Sequence, residues 1–307
     1  MKRAVVTGAA GFIGSHLAEE LARRGWHVII IDDLSTGKRE NLAGILNQEN
    51  VEFVEGSILA LPLLQELFRG TNYVFHQAAI PSVPRSVDNP LASHEANITG
   101  TLNVLIAARD NNIEKLIYAS SSSVFGDTPT LPKREDMPPS PQSPYAVTKL
   151  AGEYYCHVFA EVYGLPTICL RYFNVYGPRQ DPDSQYAAVI PRFIKLASQG
   201  KPPIIFGDGE QTRDFTFIKD VVEANILAAQ SQASGVFNIG SGSSITVNRL
   251  AELVLSITGS RTRPIHQEAR PGDIRHSIAD ISRAATFGYK PRYSLEEGLR
   301  QTFKESR

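Results

Sequence analysis

Gly8-Ala9-Ala10-Gly11-Phe12-Ile13-Gly14 follows at once on the apolar run Ala4-Val5-Val6 and leads into a helical pattern. Few chain paths satisfy that order. Gly8 permits a tight turn at the strand end, Gly11 lets the backbone approach a pyrophosphate, and Gly14 lets the helix pack close to the strand. The helix N-terminus then offers free N–H groups and partial positive charge to phosphate oxygens. Asp32 ends the next apolar run, close to the roughly 20-residue offset such a dinucleotide site requires. A carboxylate there accepts hydrogen bonds from a ribose diol and repels a 2′-phosphate, favouring NAD over NADP. Lys38 and Arg39 follow, but beyond the turn where a 2′-phosphate would sit. The alternative is a merely structural glycine turn; strand, helix and acid in this order favour the cofactor site.

The remaining pattern supports the fold that this motif needs. Runs rich in Val and Ile recur at 27–31, 73–75, 115–119 and 167–171, with helical patterns at 14–24, 61–68, 97–111 and 145–163 between them. Continuous rather than alternating apolar strands indicate a parallel sheet covered on both faces, and strand–helix alternation indicates an α/β, Rossmann-type doubly wound fold. After about residue 173 Pro and Gly become frequent, as in Gly200-Lys201-Pro202-Pro203. One further strand-like piece, Val236–Gly240, is placed to rejoin the sheet. The reading is therefore a dinucleotide-binding domain at 1–173 plus 215–242 and a smaller C-terminal α/β lobe at 174–214 plus 243–307.

Composition narrows the function. The chain has 307 residues, is 42% hydrophobic and carries a formal net charge of −1, so no global field favours nucleic acid or a membrane surface. Two cysteines and seven scattered histidines form no metal motif, and no structural metal is expected. A strand begins directly after Met1-Lys2-Arg3, without a signal peptide or an apolar run of membrane-spanning length, so a cytoplasmic location is the expectation.

Of the 11 tyrosines only Tyr145 has a lysine four residues on, Lys149. On a helix these share one face, and a cation beside a phenol lowers its pKa from about 10. Such a phenol accepts a proton near neutral pH, as removal of hydride from a carbinol requires. A surface helix pair is the plain alternative.

Taken together, Gly8-x-x-Gly11-x-x-Gly14 and Tyr145-x-x-x-Lys149 resemble the extended short-chain dehydrogenase/reductase superfamily, and within it the UDP-hexose 4-epimerases. His76-Gln77-Ala78-Ala79, Asn97–Thr101, Arg171–Gly177 and Arg213-Asp214-Phe215 extend the likeness along the chain. The resemblance implies that Ala78, Ala79, Asn97, Ala119 and Tyr172 line the cofactor, with Phe12, Ile13, Asp33, Ser35, Thr36 and Gly37 near its adenosine and phosphates. It also implies contacts from Ser57, Ile58, Gln77, Pro81, Ser120, Asn174 and Val175. Where relatives often carry Asp to reach the adenine amine, this chain has Gly56-Ser57-Ile58, so that contact is weaker or made by a hydroxyl or backbone group.

The loop Ser120–Gly126 resembles the one that carries the family's catalytic Ser or Thr, which aligns with Ser121. Related 4,6-dehydratases carry Asp-Glu at the next two positions; Ser122 and Ser123 here hold no carboxylate for elimination. The resemblance then implies 4-epimerisation: Tyr145, helped by Ser121 and Lys149, takes the C4 hydroxyl proton while hydride passes to NAD, and the 4-ketose is reduced on its other face. It assigns Arg213 and Arg270 to the substrate diphosphate, Asp273 to the uridine ribose, Asn174 to the pyrophosphate or sugar, Val189, Pro191 and Phe206 to the uracil, and Ala188 to the substrate site. Ser277 stands where a Tyr commonly closes the hexose pocket, leaving room for an N-acetyl group. Together with Ser82–Ser86 and the 179–182 and 272–280 segments, this favours UDP-GlcNAc/UDP-GalNAc, with or beside UDP-glucose/UDP-galactose. A UDP-glucuronate 4-epimerase, with Arg85 on the C6 carboxylate, a net reductase and a non-catalytic NAD-sensing module stay open. The family commonly forms a homodimer by pairing the helices at 97–111 and 145–163 as a four-helix bundle. Leu102, Leu105, Val158 and Tyr163 fit such a seam or an internal core equally well.

Overall fold

The structure is a computed structural model that describes residues 1–183, 188–269 and 274–305. In chain order the first half runs β1 (Arg3–Thr7), α1 (Phe12–Arg23), β2 (His27–Asp32), β3 (Val51–Glu55), α2 (Leu61–Leu67) and β4 (Tyr73–His76). It continues with α3 (Val83–Asp88), α4 (Pro90–His94), α5 (Gly100–Asp110), β5 (Lys115–Ser121), α6 (Pro144–Tyr163) and β6 (Thr167–Tyr172). A π turn, Glu95–Thr99, joins α4 to α5, so the helix expected over 97–111 is longer and interrupted. The second half holds β7 (Val175–Tyr176), α7 (Val189–Ser198), β8 (Ile204–Phe206), β9 (Thr212–Arg213), β10 (Thr216–Phe217), α8 (Ile218–Gln230) and β11 (Gly235–Ile239). It closes with β12 (Ile245–Thr246), α9 (Val247–Thr258), β13 (Ile265–Gln267), α10 (Ser282–Ala285) and α11 (Leu295–Glu305).

Seven strands form one parallel sheet in the order β11-β6-β5-β4-β1-β2-β3. The segment at Val236–Ile239 does rejoin the sheet, beside β6. Winding starts at β1, goes out to β3, then returns to β4 on the other side of β1. That reversal opens a crevice beyond the carboxyl ends of β1 and β4, where ligands bind in such sheets. Successive strand residues face opposite sides: Val5, Ile29 and Leu116 join one hydrophobic cluster, and Val6, Ile30 and Ile117 the other. Each such burial contributes about 1.5–3 kcal/mol, so neighbouring layers hold the strand ends rigidly.

A smaller α/β lobe follows, built from α7, α9, α10, α11 and the short pairs β8–β13 and β9–β12. Its Ile190, Phe193, Leu250 and Val254 share one buried cluster with Leu17 of α1 and Val221 of α8. The lobe is therefore welded to the sheet domain through a common core, which fixes the cleft between them.

Helix α6 carries the Tyr-Lys pair, and its ends follow local rules. The Ser143 side chain accepts the Ala146 N–H, Pro144 occupies the first turn, and Gly164 closes the helix at φ 70°.

Candidate active site

A cavity of about 830 Å³ opens at the carboxyl ends of β1, β2 and β4. The glycine turn forms its floor. A Cβ on Gly8 (φ 68°) would lie 2.6 Å from the Ala78 backbone, and one on Gly14 2.1 Å from the Gly8 carbonyl oxygen. Only glycine allows the strand, the turn and α1 to close up in this way. Phe12 and Ile13 open α1 and line the cavity with Gly8, Gly11 and Gly14.

Asp32 stands at the end of β2, 7% exposed, with one carboxylate oxygen accepting Ala10 N–H at 2.8 Å and the other Leu34 N–H at 2.8 Å. Burial raises its pKa, and these two bonds oppose the rise. Each oxygen keeps acceptor capacity toward the cavity, suited to a diol. Asp33, Ser35, Thr36, Ser57 and Ile58 complete this end, and Gly37 packs against Ala10 and the Asp32 carboxylate.

A buried relay joins β1, β4 and the π turn. Ala78 N–H donates to the Thr7 hydroxyl, which donates to His76 Nδ1 (2.8 Å). His76 Nε2–H donates to Thr101 Oγ1 (2.9 Å), which donates to the Asn97 carbonyl (2.6 Å). Only this direction satisfies every partner. It requires neutral His76, whose pKa burial and Lys149 hold down to about 3. The Asn97 amide holds both backbone groups of Ile80 and the Thr148 hydroxyl. Asn97 thus braces the Gln77–Pro81 wall from behind, whereas Gln77, Ala78, Ala79 and Pro81 line the cavity itself.

At the far end, Tyr145, Lys149, Ala119, Ser120 and Tyr172 share the wall. Lys149 Nζ donates to the Ala119 carbonyl at 2.8 Å and lies 5.9 Å from the Tyr145 ring centre. Ser121 bonds Tyr145 through their side chains and accepts the Ser123 hydroxyl at 2.9 Å. Ser122 follows in the short helical turn that Ser121 caps. The field differs from the one expected. Burial pushes the Tyr145 phenol up, Ser121 pulls it back, and Lys149 is itself drawn down to about 8 by desolvation. Loss of hydration outweighs the cation in the chain alone.

Tyr172 Oη meets Gln77 and the buried Asn225 of α8, which the sequence reading did not identify. Glu153 was likewise not singled out, whereas Arg171 was read only as part of the 171–177 motif and Arg179, Gln180 and Asp181, which stand at the cavity rim, only as part of the 179–182 segment. Of the residues assigned to substrate, Ser82, Arg85, Ala188 and Pro191 line the cavity. Asn174 instead donates its amide to the Asp214 carbonyl at 2.9 Å, and Val175 enters β7 against the core. Val189 opens α7, and Phe206 ends β8 beneath the Arg192 guanidinium. Arg213 donates to the carbonyls of Thr212 and Arg275. Ser277 is buried, its N–H on the Thr212 carbonyl, and is not brought to the cavity wall. Arg270 and Asp273 lie outside the described residues. Among the described residues no His, Cys, Asp and Glu group could hold a metal ion, and no helix is long and apolar enough to cross a membrane.

Comparison with known proteins agrees with this geometry. A UDP-N-acetylglucosamine 4-epimerase of Methanobrevibacter ruminantium M1, solved with UDP-N-acetylmuramic acid, is 45% identical with TM-score 0.97, covering 99% of this chain and 98% of that one. The Thermotoga maritima UDP-glucose 4-epimerase solved with UDP-glucose is 41% identical with TM-score 0.94, at 99% and 98% coverage. The UDP-glucose 4-epimerase of Mycolicibacterium smegmatis is 40% identical over 98% of this chain and 97% of its own length. The profile of the NAD dependent epimerase/dehydratase family matches residues 4–240. With that match, the glycine turn, the Tyr145–Lys149 helix and the β5 serine loop in one cavity, the chain belongs to the NAD dependent epimerase/dehydratase family of extended short-chain dehydrogenases/reductases.

Proposed function

We propose that this chain is an NAD-dependent UDP-sugar 4-epimerase that interconverts UDP-GlcNAc with UDP-GalNAc, UDP-glucose with UDP-galactose, or both pairs. One observation carries the reading. Ser121 engages Tyr145 beside Lys149 at one end of a cavity whose other end is the glycine turn and Asp32.

The residues present fit NAD: Gly8–Gly14 for the pyrophosphate, Asp32 for a ribose diol, and Lys149 beside Tyr145 for the nicotinamide end. Bound NAD supplies a reversible hydride acceptor and a positively charged ring. Tyr145 takes the C4 hydroxyl proton, with Ser121 on the same oxygen to hold it in line. Lys149, cationic below about pH 8, offsets the burial that disfavours the phenolate. Ser122 and Ser123 offer no carboxylate to eliminate a C6 hydroxyl. The 4-keto sugar turns over in the cleft, so that the hydride would return to its other face while Tyr145 gives the proton back to the C4 oxygen. No net redox change results, so no added cofactor is needed if NAD stays bound between turnovers.

The N-acetylated pair is favoured by the 45% identity to a UDP-N-acetylglucosamine 4-epimerase. A second reading, UDP-glucuronate 4-epimerisation, draws on Arg85, whose position on the cavity wall beside Ser82 suits a C6 carboxylate. The test uses purified enzyme without added NAD, incubated separately with UDP-GlcNAc, UDP-glucose and UDP-glucuronate, following C4 inversion by proton NMR. Turnover of none of the three, with or without NAD, overturns the assignment.

We also assign a homodimer to this chain. Val147, Tyr154, Val158 and Val162 form one exposed apolar stripe on α6, with exposed Val87 and Leu91 on the neighbouring α3 and α4. Leu105 is core and Leu102 packs on it, so Val158 and Tyr163 are the seam candidates that stay exposed. Light scattering of wild type and Tyr154→Glu decides: a monomeric wild type removes the assignment.

A further inference from the structure

One turn beyond Lys149 on α6 stands a second buried charge that the mechanism above does not use. Glu153 is 3% exposed. It accepts Nε and Nη2 of Arg171 on β6 at 2.8 and 2.7 Å, and the Ser120 hydroxyl of β5 at 2.5 Å. Ser120 and Arg171 are register partners across β5 and β6, so the carboxylate bolts α6 to both strand ends at once. The guanidinium is sealed by the Phe125 ring at 4.6 Å. Breaking such a pair is far costlier than replacing it by apolar side chains, so stability alone gives little reason to keep it.

Its surroundings give one. Ser120 lines the cavity and immediately precedes Ser121, and Lys149, also buried, lies one helical turn from Glu153. The other titratable groups packed there are Cys156 on α6, Cys169 on β6, Tyr118 on β5, His76 on β4 and Tyr145 itself. Burial raises the Tyr118 and Tyr145 phenols, the neighbouring Cys156 and burial raise the Cys169 thiol, and His76 is neutral. Glu153 is the carboxylate among them, one helical turn from Lys149, and after Cys156 it is the group that acts to raise Lys149 against desolvation.

We propose that Glu153 is a positioning residue of this site: fixed by Arg171 and Ser120, its carboxylate keeps Lys149 cationic and holds the Ser120-Ser121 strand end in register with α6. The proposal rests on the 4-epimerase reading only for its activity arm. A structural clamp alone would supply the register but would leave the charge on Lys149 unaffected.

The test compares wild type, Glu153→Gln and the double variant E153L/R171M. The double variant leaves no unpaired buried charge and so retains the fold if the single variant does not. Lysine labelled with ¹³C at Cε is titrated by NMR, the Lys149 signal being assigned by its loss in Lys149→Met, and the pH profile of kcat for UDP-sugar epimerisation is recorded in parallel. Lys149 is expected to titrate at lower pH in both variants, with the alkaline limb of kcat moving the same way, and Glu153→Asp restoring part of the shift. A Lys149 titration unmoved in a folded variant overturns the proposal. A shifted titration in a protein that epimerises no UDP-sugar upholds it and counts instead against the assigned reaction.

Discussion

Arg179 pairs with Glu19 of α1, tying the Gly177–Asp181 turn down over the mouth of the dinucleotide cavity. Two further ties reinforce it: His16 Nε2 to the Pro178 carbonyl at 3.1 Å, and Lys38 to Asp181 at 3.0 Å. Arg179 holds φ 65°, a left-handed conformation that needs such contacts to persist. The turn joins the two sides of the groove, α1 and the loop after β2, so cofactor release must pass it. Partly exposed ion pairs contribute up to about 1 kcal/mol each. Glu19→Gln or Lys38→Met alone is therefore expected to speed NAD release a few-fold, and the two together about tenfold. Release is read by stopped-flow exchange of bound NADH for NAD. An unchanged rate in the double variant would place retention in the glycine turn alone.

The His76 relay predicts acid sensitivity. In the unfolded chain His76 takes a proton near its ordinary 6.5, whereas the folded chain admits one only near 3. Between those values the unfolded state holds more protons, so stability is complete above pH 6.5 and declines as pH falls. The slope is about 1.4 kcal/mol per pH unit for one such group. His16, held down to about 4 by burial and Arg179, acts in the same direction. Denaturant melts of wild type and His76→Asn at pH 7.5, 6 and 5 should show a shallower pH dependence in the variant. Parallel slopes would mean that other groups govern the acid limb.

How much of this the sequence disclosed depends on whether the cause was local. Helix α6 was legible because Ser143, Pro144 and Gly164 mark its ends, and the glycine turn because strand, turn and helix each leave a signature. Strand β3 was not singled out. It is an edge strand whose outer residues stay exposed, which dilutes the apolar run. Helix α8, hidden in a half read for its Pro and Gly, brings Asn225 beneath Tyr172. Glu153 carries no signal of its own in the sequence, and its pairing with Arg171 emerges only when the β5–β6 register and α6 bring them together. Asn97 was placed at the right wall but on the wrong side of it, since only the π turn shows that its amide is already spent on Ile80 and Thr148. Likewise the expectation that Lys149 lowers the Tyr145 phenol weighed charge without burial, which no spacing reveals.

Asp32 should set both cofactor affinity and choice. Its two oxygens are pinned by Ala10 and Leu34, and a Cβ on Gly37 would lie 2.8 Å from one of them. Asp32→Asn removes the charge that repels a 2′-phosphate and one of its acceptors. A hydrogen bond to a charged group is worth about 1.5–3 kcal/mol, so NAD should bind about tenfold or more weakly while NADP loses less. Gly37→Ala should weaken NAD by displacing the same carboxylate, without improving NADP. Calorimetric titration of cofactor-stripped protein with each dinucleotide separates the two outcomes.

Gly152 offers the sharpest test of how α6 is seated. A Cβ there would lie 2.2 Å from Tyr118 Oη and 2.4 Å from Cζ. Tyr118 has nowhere to go: it is fully buried, with the His76 ring at 5.6 Å and Lys149 Nζ over its face at 5.2 Å. The helix must therefore move, carrying Lys149 three residues away and Tyr145 on the preceding turns. Overpacking of this kind costs about 1–3 kcal/mol. Misplacement of a catalytic group by about 1 Å can cost as much as 100-fold in rate. Gly152→Ala should thus lower kcat by tenfold or more, with NAD affinity changed far less because the glycine turn and Asp32 lie at the other end of the cavity. Tyr118→Leu removes the opposing oxygen and ring edge, so Tyr118→Leu/Gly152→Ala should recover rate relative to Gly152→Ala. Equal rates in the single and double variants would mean that α6 takes its position from Glu153 and Arg171 rather than from the Tyr118 contact.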